Sequence, residues 1–128
     1  MEKLTYCDTH VLVWLYAGDL SLFPRSVVEY FDSKTLIISP AVILELEYLY
    51  EIGKIQAKGE KILKTLEKSL GLKSCPEEFG KVIHEALKQS WTRDPFDRLI
   101  VSQAAITKSP LLTKDALIHK HYPHALWG

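Results

Sequence analysis

Thr35-Leu36-Ile37-Ile38-Ser39-Pro40-Ala41-Val42-Ile43-Leu44-Glu45-Leu46 carries a strand, its end and the start of a helix in one uninterrupted run. The first four residues are uncharged and rich in β-branching, the composition of a strand buried on both faces. Ser39 and Pro40 then supply a hydroxyl N-cap and a proline at the first helical position. The same succession recurs on both sides. Leu4-Thr5-Tyr6-Cys7 leads through Asp8 into an apolar helix over 9–17 that Gly18 closes, and Pro110-Leu111-Leu112-Thr113 leads into a short helix over 115–121. Hydrophobic spacing predicts further helices over 24–31, 41–52, 56–70, 76–89 and 94–106, a short strand at 72–74 and an edge strand at 125–127. Strands separated by helices require parallel pairing through right-handed crossovers. The fold class is therefore α/β, a three-layer α/β/α sandwich around a small, mostly parallel central sheet, expected to form one domain over 1–128.

Composition narrows the function. Sixteen Lys plus Arg balance sixteen Asp plus Glu, and 47% of the 128 residues are hydrophobic. A zero net charge excludes a polybasic nucleic-acid coat or membrane patch, so any attraction to nucleic acid has to be local or supplied by a metal ion. Uncharged apolar stretches run only about ten residues, half a membrane span. The start, Met1-Glu2-Lys3-Leu4-Thr5-Tyr6, lacks a signal peptide's basic and apolar regions. Cys7 and Cys75 are too few for a disulfide framework or a thiolate zinc site, and are expected as two buried thiols. These features predict a cytoplasmic protein without membrane contact.

Most acids sit in solvated company, but five do not. Asp8 lies between an apolar strand and an apolar helix, Glu45 within Ile43-Leu44-Glu45-Leu46, Asp97 within Pro95-Phe96-Asp97-Arg98-Leu99, Asp94 three residues earlier, and Asp115 after Leu111-Leu112-Thr113-Lys114. In an open parallel sheet the carboxyl ends of the strands share one edge, where ligands bind. Asp8, Asp97 and Asp115 can meet there, and Glu45 can reach it from the first turns of its helix. Carboxylates held together repel unless a cation neutralises them, and hard oxygen ligands suit Mg²⁺ or Mn²⁺. Capping explains several of the same residues. Asp is among the best N-caps, and Asp94-Pro95-Phe96-Asp97 places a cap, a proline at N1 and an acid at N3. Glu45 is no cap, but periodicity does not choose between it and Glu47.

The local motifs decide that choice by resemblance. Cys7-Asp8-Thr9-His10-Val11-Leu12-Val13-Trp14 resembles the opening of PIN-domain nucleases. Ile38-Ser39-Pro40-Ala41-Val42-Ile43-Leu44-Glu45-Leu46 is similar to their second motif, with Ser six residues before the acid, which selects Glu45. Arg93-Asp94-Pro95-Phe96-Asp97-Arg98-Leu99-Ile100 is similar to the third and the most specific, and Leu111-Leu112-Thr113-Lys114-Asp115 to the fourth. The Gly53-Lys54-Ile55 turn and Leu126-Trp127 resemble the VapC-type bacterial toxin branch. This resemblance implies that Asp8, Glu45, Asp97 and Asp115 coordinate Mg²⁺ or Mn²⁺ and hydrolyse an RNA phosphodiester with water. It makes Thr9 and Thr113 groups that orient carboxylates or water, and Asp94 either such a group or only the cap; Arg98 and Lys114, adjacent to the acids in sequence, are placed to hold substrate phosphates. It also implies a small protein antitoxin and a homodimer, for which the amphipathic helices around 46–70 offer a surface.

Other patterns point elsewhere. His119, His121 and His124 lack the partners of a zinc site. Lysines 54, 58, 61, 64 and 68 are interleaved with Glu60 and Glu67, as on a solvated helix face. Trp14, Tyr16, Trp91 and Trp127 are expected in the core or an interface. A phosphatase of the haloacid dehalogenase type needs a second Asp where His10 stands, and a receiver domain needs paired acids at its first strand. A non-toxin RNA-processing nuclease and a catalytically silent interaction module are the remaining alternatives.

Overall fold

The computed structural model describes residues 4–128; residues 1–3, on which part of the N-terminal reading rests, lie outside the described residues. In chain order the elements are β1 (Leu4–Cys7), α1 (Thr9–Ala17), a 3-10 turn (Leu20–Leu22), α2 (Arg25–Ser33), β2 (Thr35–Ile38), α3 (Pro40–Glu51), α4 (Gly59–Leu70), β3 (Lys73–Ser74), α5 (Phe79–Ala86), α6 (Pro95–Ile106), β4 (Leu111–Leu112), α7 (Ala116–His121) and β5 (Ala125–Leu126). The strands form one sheet in the order β3-β2-β1-β4-β5. Every pairing is parallel, with Thr5 opposite Leu36, Tyr6 opposite Leu111, Ile37 opposite Lys73 and Leu111 opposite Ala125. The sheet is thus wholly rather than mostly parallel.

That strand order has a physical consequence. From β1 the chain steps outward to β2 and β3, then returns to the other side of β1 for β4 and β5. The reversal falls between β1 and β4, and a crevice opens at the carboxyl ends of strands wherever a doubly wound sheet reverses. Asp8 follows β1 and Thr113 follows β4, so the reversal point carries both. The ladder fixes their positions: the Asp8 amide donates to the Leu112 carbonyl at 3.0 Å and the Thr113 amide to the Leu126 carbonyl at 3.1 Å.

The core needs little explanation beyond the β-branched runs. Leu36, Ile38, Leu111 and Leu112 are fully buried, packed with Val11 and Leu12 of α1, Val42 and Leu46 of α3, and Ile100, Val101 and Ala104 of α6. Gly18 ends α1 in the left-handed conformation at φ 76°, and its amide closes on the Trp14 and Leu15 carbonyls.

Three helices differ in extent from the periodicity reading, and for two of them a tertiary contact sets the start. The helix predicted from residue 56 begins at Gly59, because Gly59 presses on α3. A Cβ there would stand 3.0 Å from the Glu47 backbone nitrogen and 3.1 Å from the Ile43 carbonyl oxygen. The start is also capped from outside: Lys58 makes no side-chain cap, and the Gly59 amide donates to the Glu47 carboxylate at 3.2 Å. The helix predicted over 76–89 is shorter, Phe79–Ala86, since residue 75 still belongs to the sheet, its amide donating to the Ile38 carbonyl at 2.8 Å. The helix predicted over 24–31 extends to Ser33 and is preceded by the 3-10 turn that Asp19 caps.

Among the described residues, no helix is long and apolar enough to cross a membrane. Cys7 and Cys75 are buried free thiols, and the Tyr6 hydroxyl donates to Cys75 Sγ at 3.0 Å.

Candidate functional site

Asp8 is the centre of the carboxyl edge. Its backbone is still extended and its side chain caps α1, with Oδ1 accepting from the Thr9 amide at 2.8 Å. Oδ2 faces the other way and accepts from the Thr113 hydroxyl at 2.6 Å. Thr113 in turn accepts from the Asp115 amide at 3.1 Å, and its carbonyl accepts from His119 Nε2 at 2.7 Å. The turn after β4 is thereby tied to the turn after β1. From the other side, the Thr9 hydroxyl donates to Glu45 Oε1. Glu45 therefore faces the β1 edge, while Glu47, two residues on, faces α4.

Capping and convergence prove compatible. Asp94 Oδ1 accepts from the Phe96 and Asp97 amides at 2.8 and 3.3 Å, and Asp115 Oδ1 from the Leu117 and Ile118 amides at 2.8 and 3.0 Å. Asp8, Asp94 and Asp115 are all N-caps, yet each cap consumes one oxygen of a group with about four lone-pair sites. Asp97, at the third position of α6, makes no side-chain hydrogen bond or ion pair among the described residues.

The electrostatics show that these acids act on one another. Burial pushes the Asp97 carboxyl up, and the charges of Asp94, Asp8, Asp115 and Glu45 push it further, to about 7. Glu45 is raised chiefly by burial, with the Thr9 hydroxyl opposing and Asp8 and Asp94 adding to the rise. Asp8 is raised by burial, opposed by its bonds to Thr113 and Thr9. Among the described residues, the ion pairs are Lys64 with Glu60, Lys81 with Glu77 and Lys88 with Glu85, all away from this edge. Among the described residues, no Lys or Arg forms an ion pair with the five acids. The set is open rather than closed: among the described residues, no three His, Cys, Asp or Glu side chains form a ready-made metal-holding group. Its donors are nonetheless all oxygen and mostly anionic, with His10 offsetting Asp8 and Glu45 only in part, which is the chemistry a hard divalent cation satisfies.

The shift of Asp97 has a measurable consequence. A carboxyl whose folded pKa lies above its unfolded value keeps its proton longer when folded, so its contribution to stability falls as pH rises through that interval. For Asp97 the interval runs from 3.8 to about 7. In chelator, Asp97→Asn is expected to gain a few degrees of melting temperature relative to the wild type as pH rises through this window. A difference between the two proteins that stays constant from pH 4 to pH 8 contradicts the repulsion.

A cleft of 310 Å³ adjoins the acids, lined by Asp8, His10, Val11, Trp14, Lys114 and Asp115. Lys114 thus lies on the wall of the cleft beside Asp8 and Asp115. Arg98 does not: its Nε donates to the Thr92 carbonyl at 2.9 Å, and its side chain lines the cavity between α5 and α6 with Ile83, Leu87 and Leu99. It braces the loop before α6 instead of facing the acids. His10 and Trp14 are cleft residues that the motif reading left without a task; their i, i+4 spacing one turn beyond Asp8 is the signal that places both on one face of α1.

The remaining patterns have ordinary partners. His119 holds the Thr113 carbonyl, His121 stacks on Trp91 at 5.1 Å and His124 packs on Tyr122 at 5.5 Å, each against a different neighbour. Lys64 pairs with Glu60, and Lys58 stands 6.0 Å from the Tyr50 ring centre, as on a solvated face. Trp14 and Trp127 join Phe23 in one aromatic group.

Comparison with known proteins follows this geometry. No curated protein sequence matches the chain. Among solved structures, it resembles a chain of VapBC2 from Rickettsia felis bound to a DNA fragment from their promoter, with TM-score 0.61 and 19% identity over 98% of this chain and 99% of that one. It also resembles a chain of DNA-bound VapBC from Salmonella typhimurium, with TM-score 0.59 and 18% identity over 98% and 96%. A domain of a functionally unknown protein from Methanocaldococcus jannaschii gives TM-score 0.59 and 22% identity over 98% and 91%. At these identities the likeness is one of fold. The sequence itself matches the PIN domain profile over residues 5–122, a span that holds every acid at the carboxyl edge, and the chain belongs to the PIN domain family.

Proposed function

We propose that this chain is a divalent-metal-dependent endoribonuclease and the toxin of a toxin–antitoxin pair. The observation that carries the reading is the coupling of Asp8, Glu45, Asp97 and Asp115 at the carboxyl edge, where His10 eases Asp8 and Glu45 only in part. Family membership supports nuclease chemistry. The fold relatives captured as VapBC complexes support the toxin role and a small antitoxin as partner.

Asp8, Glu45, Asp97 and Asp115 would hold Mg²⁺ or Mn²⁺. The ion supplies a Lewis acid for the phosphodiester and lowers the pKa of an attacking water. The chain's own part is orientation. Thr9 fixes one Glu45 oxygen, and Thr113 fixes Asp8 Oδ2, so neither carboxylate rotates freely. Asp94 sets the first turn of α6 and so the place of Asp97. Lys114, exposed on the cleft wall, meets a substrate phosphate. Cleavage should release products by direct attack of water, in the cytoplasm where RNA is available.

Purified chain incubated with total RNA tests the proposal. Fragments are expected in Mg²⁺ or Mn²⁺ and none with excess chelator. Activity that survives chelation, or that appears only with zinc, overturns the metal assignment; intact RNA under all conditions leaves the silent-module alternative.

The homodimer belongs to the same reading, but its surface moves. The apolar stripe of α4 points inward, with Ile62 and Leu66 buried. Exposed apolar side chains gather on and beside α3 and α5 instead: Leu44 and Phe79 line a 470 Å³ cavity between α3 and α6, Ile83 and Leu87 the neighbouring one, and Tyr48 lies further along α3. Phe79 is 70% exposed and Leu87 67%, values that a second copy of this face would relieve. Sedimentation is expected to show a dimer for the wild type and a monomer for Phe79→Asp with Leu87→Asp. A dimer that survives both changes places the contact elsewhere.

A further inference from the structure

The cleft beside the acids has a wall that the proposed chemistry does not use. His10 sits in the first turn of α1, exposed, its ring centre 6.1 Å from that of Trp14 and tilted by 42°. Trp14 is not free to move: its ring lies 5.7 Å from Trp127 and 6.1 Å from Phe23, which lie 5.6 Å from each other. The indole is therefore a fixed backing for the imidazole. Lys114 faces the cleft from the turn after β4 with no ion pair among the described residues. An aromatic wall, one cation and an acidic floor in 310 Å³ match the parts of a single nucleotide: a base, a phosphate and the edge where its phosphodiester is cut.

Resting on the ribonuclease reading, we propose that this cleft seats one unstacked nucleotide of single-stranded RNA, with the base on the His10 ring and the adjoining phosphate at Lys114. The size argues for this substrate form. Ligand pockets begin at about 300 Å³, so the cleft takes one nucleotide and no base pair. A duplex keeps its bases stacked inside, whereas loops and single strands present bases that can lie on His or Trp rings. His10 is then a specificity residue whose contribution is shape and π-surface, which an uncharged aromatic can replace.

Equilibrium binding separates this from a merely structural His10–Trp14 contact. A fluorescently labelled eight-nucleotide single-stranded RNA is titrated in Ca²⁺, with the RNA checked for intactness and each variant for an unchanged melting temperature. His10→Ala is expected to weaken binding about tenfold, within the range for losing one aromatic stacking surface, and His10→Phe to restore it. A duplex of the same sequence should bind at least about tenfold more weakly than the single strand. Binding by His10→Ala within about twofold of wild type overturns the proposal, as does a His10→Phe variant as weak as His10→Ala, or a duplex bound as well as the single strand. The two readings fail separately. If the wild type cleaves total RNA while His10→Ala binds normally, only the nucleotide seat is lost; if the wild type neither binds nor cleaves RNA, the ribonuclease reading falls and takes the seat with it.

Discussion

Glu45→Gln is expected to lower the rate of RNA cleavage at least about a hundredfold, and Glu47→Gln to leave it unchanged. Two residues apart on one helix, the two acids have opposite employment. Glu45 accepts the Thr9 hydroxyl at the end of β1, within reach of the charges of Asp8 and Asp94. Glu47 accepts the Gly59 amide and caps α4. Glutamine keeps an accepting oxygen at both places, so each variant keeps its hydrogen bond and its fold. Only at position 45 does the lost charge matter to a bound cation. A hundredfold corresponds to about 2.7 kcal/mol of transition-state stabilisation, a modest share of what a metal-assisted site supplies. Single-turnover rates of the two variants check it. Reversed effects would assign the site to the wrong face of α3, and the Thr9 contact would then be a structural one.

The contrast between these two glutamates shows where sequence reading stops. Strand positions were legible because uncharged β-branched runs have one physical use, and Ser39-Pro40 and Asp94-Pro95 marked the starts of α3 and α6 to within one residue. Helix phase was not legible from periodicity, since Glu45 and Glu47 both lie among Leu44, Leu46 and Tyr48. Motif spacing chose Glu45, and the orientation of α3 gives that carboxylate the β1 edge. The start of α4 was hidden for a related reason: its cap comes from Glu47, twelve residues away, and its glycine answers to the α3 backbone. Arg98 failed in the opposite sense. Its place beside Asp97 in the sequence suggested the acids, but adjacent residues on a helix point about 100° apart, and the loop carbonyl of Thr92 was the nearer acceptor. Capping, weighed in the sequence as the rival of ligation, does not exclude it, because a carboxylate has two oxygens and each cap takes one.

Asp8→Asn separates the two roles of that shared side chain, and its effect is read in stability as well as in rate. Asn caps a helix about as well as Asp, so the bond from the Thr9 amide to Oδ1 survives. The other oxygen becomes an amide nitrogen, and the Thr113 hydroxyl that donated to it has to turn. Losing that bond costs about 1 kcal/mol. Against this stands the removal of a carboxylate that burial holds above the ordinary range, beside Asp97, Glu45 and Asp115. In chelator at pH 8 the variant is expected to melt at or above the wild-type temperature. Mg²⁺ reverses the order. At ten times its dissociation constant it stabilises the wild type by about 1.4 kcal/mol, a shift of roughly 3–6 °C for a domain of this size. The variant is expected to lose most of that shift together with its nuclease activity. If Asp8 only caps α1, Mg²⁺ moves neither protein; if the two shift equally, the ion sits elsewhere. A shift confined to the wild type ties metal, charge and cleavage to the acid that follows β1 at the reversal of the sheet.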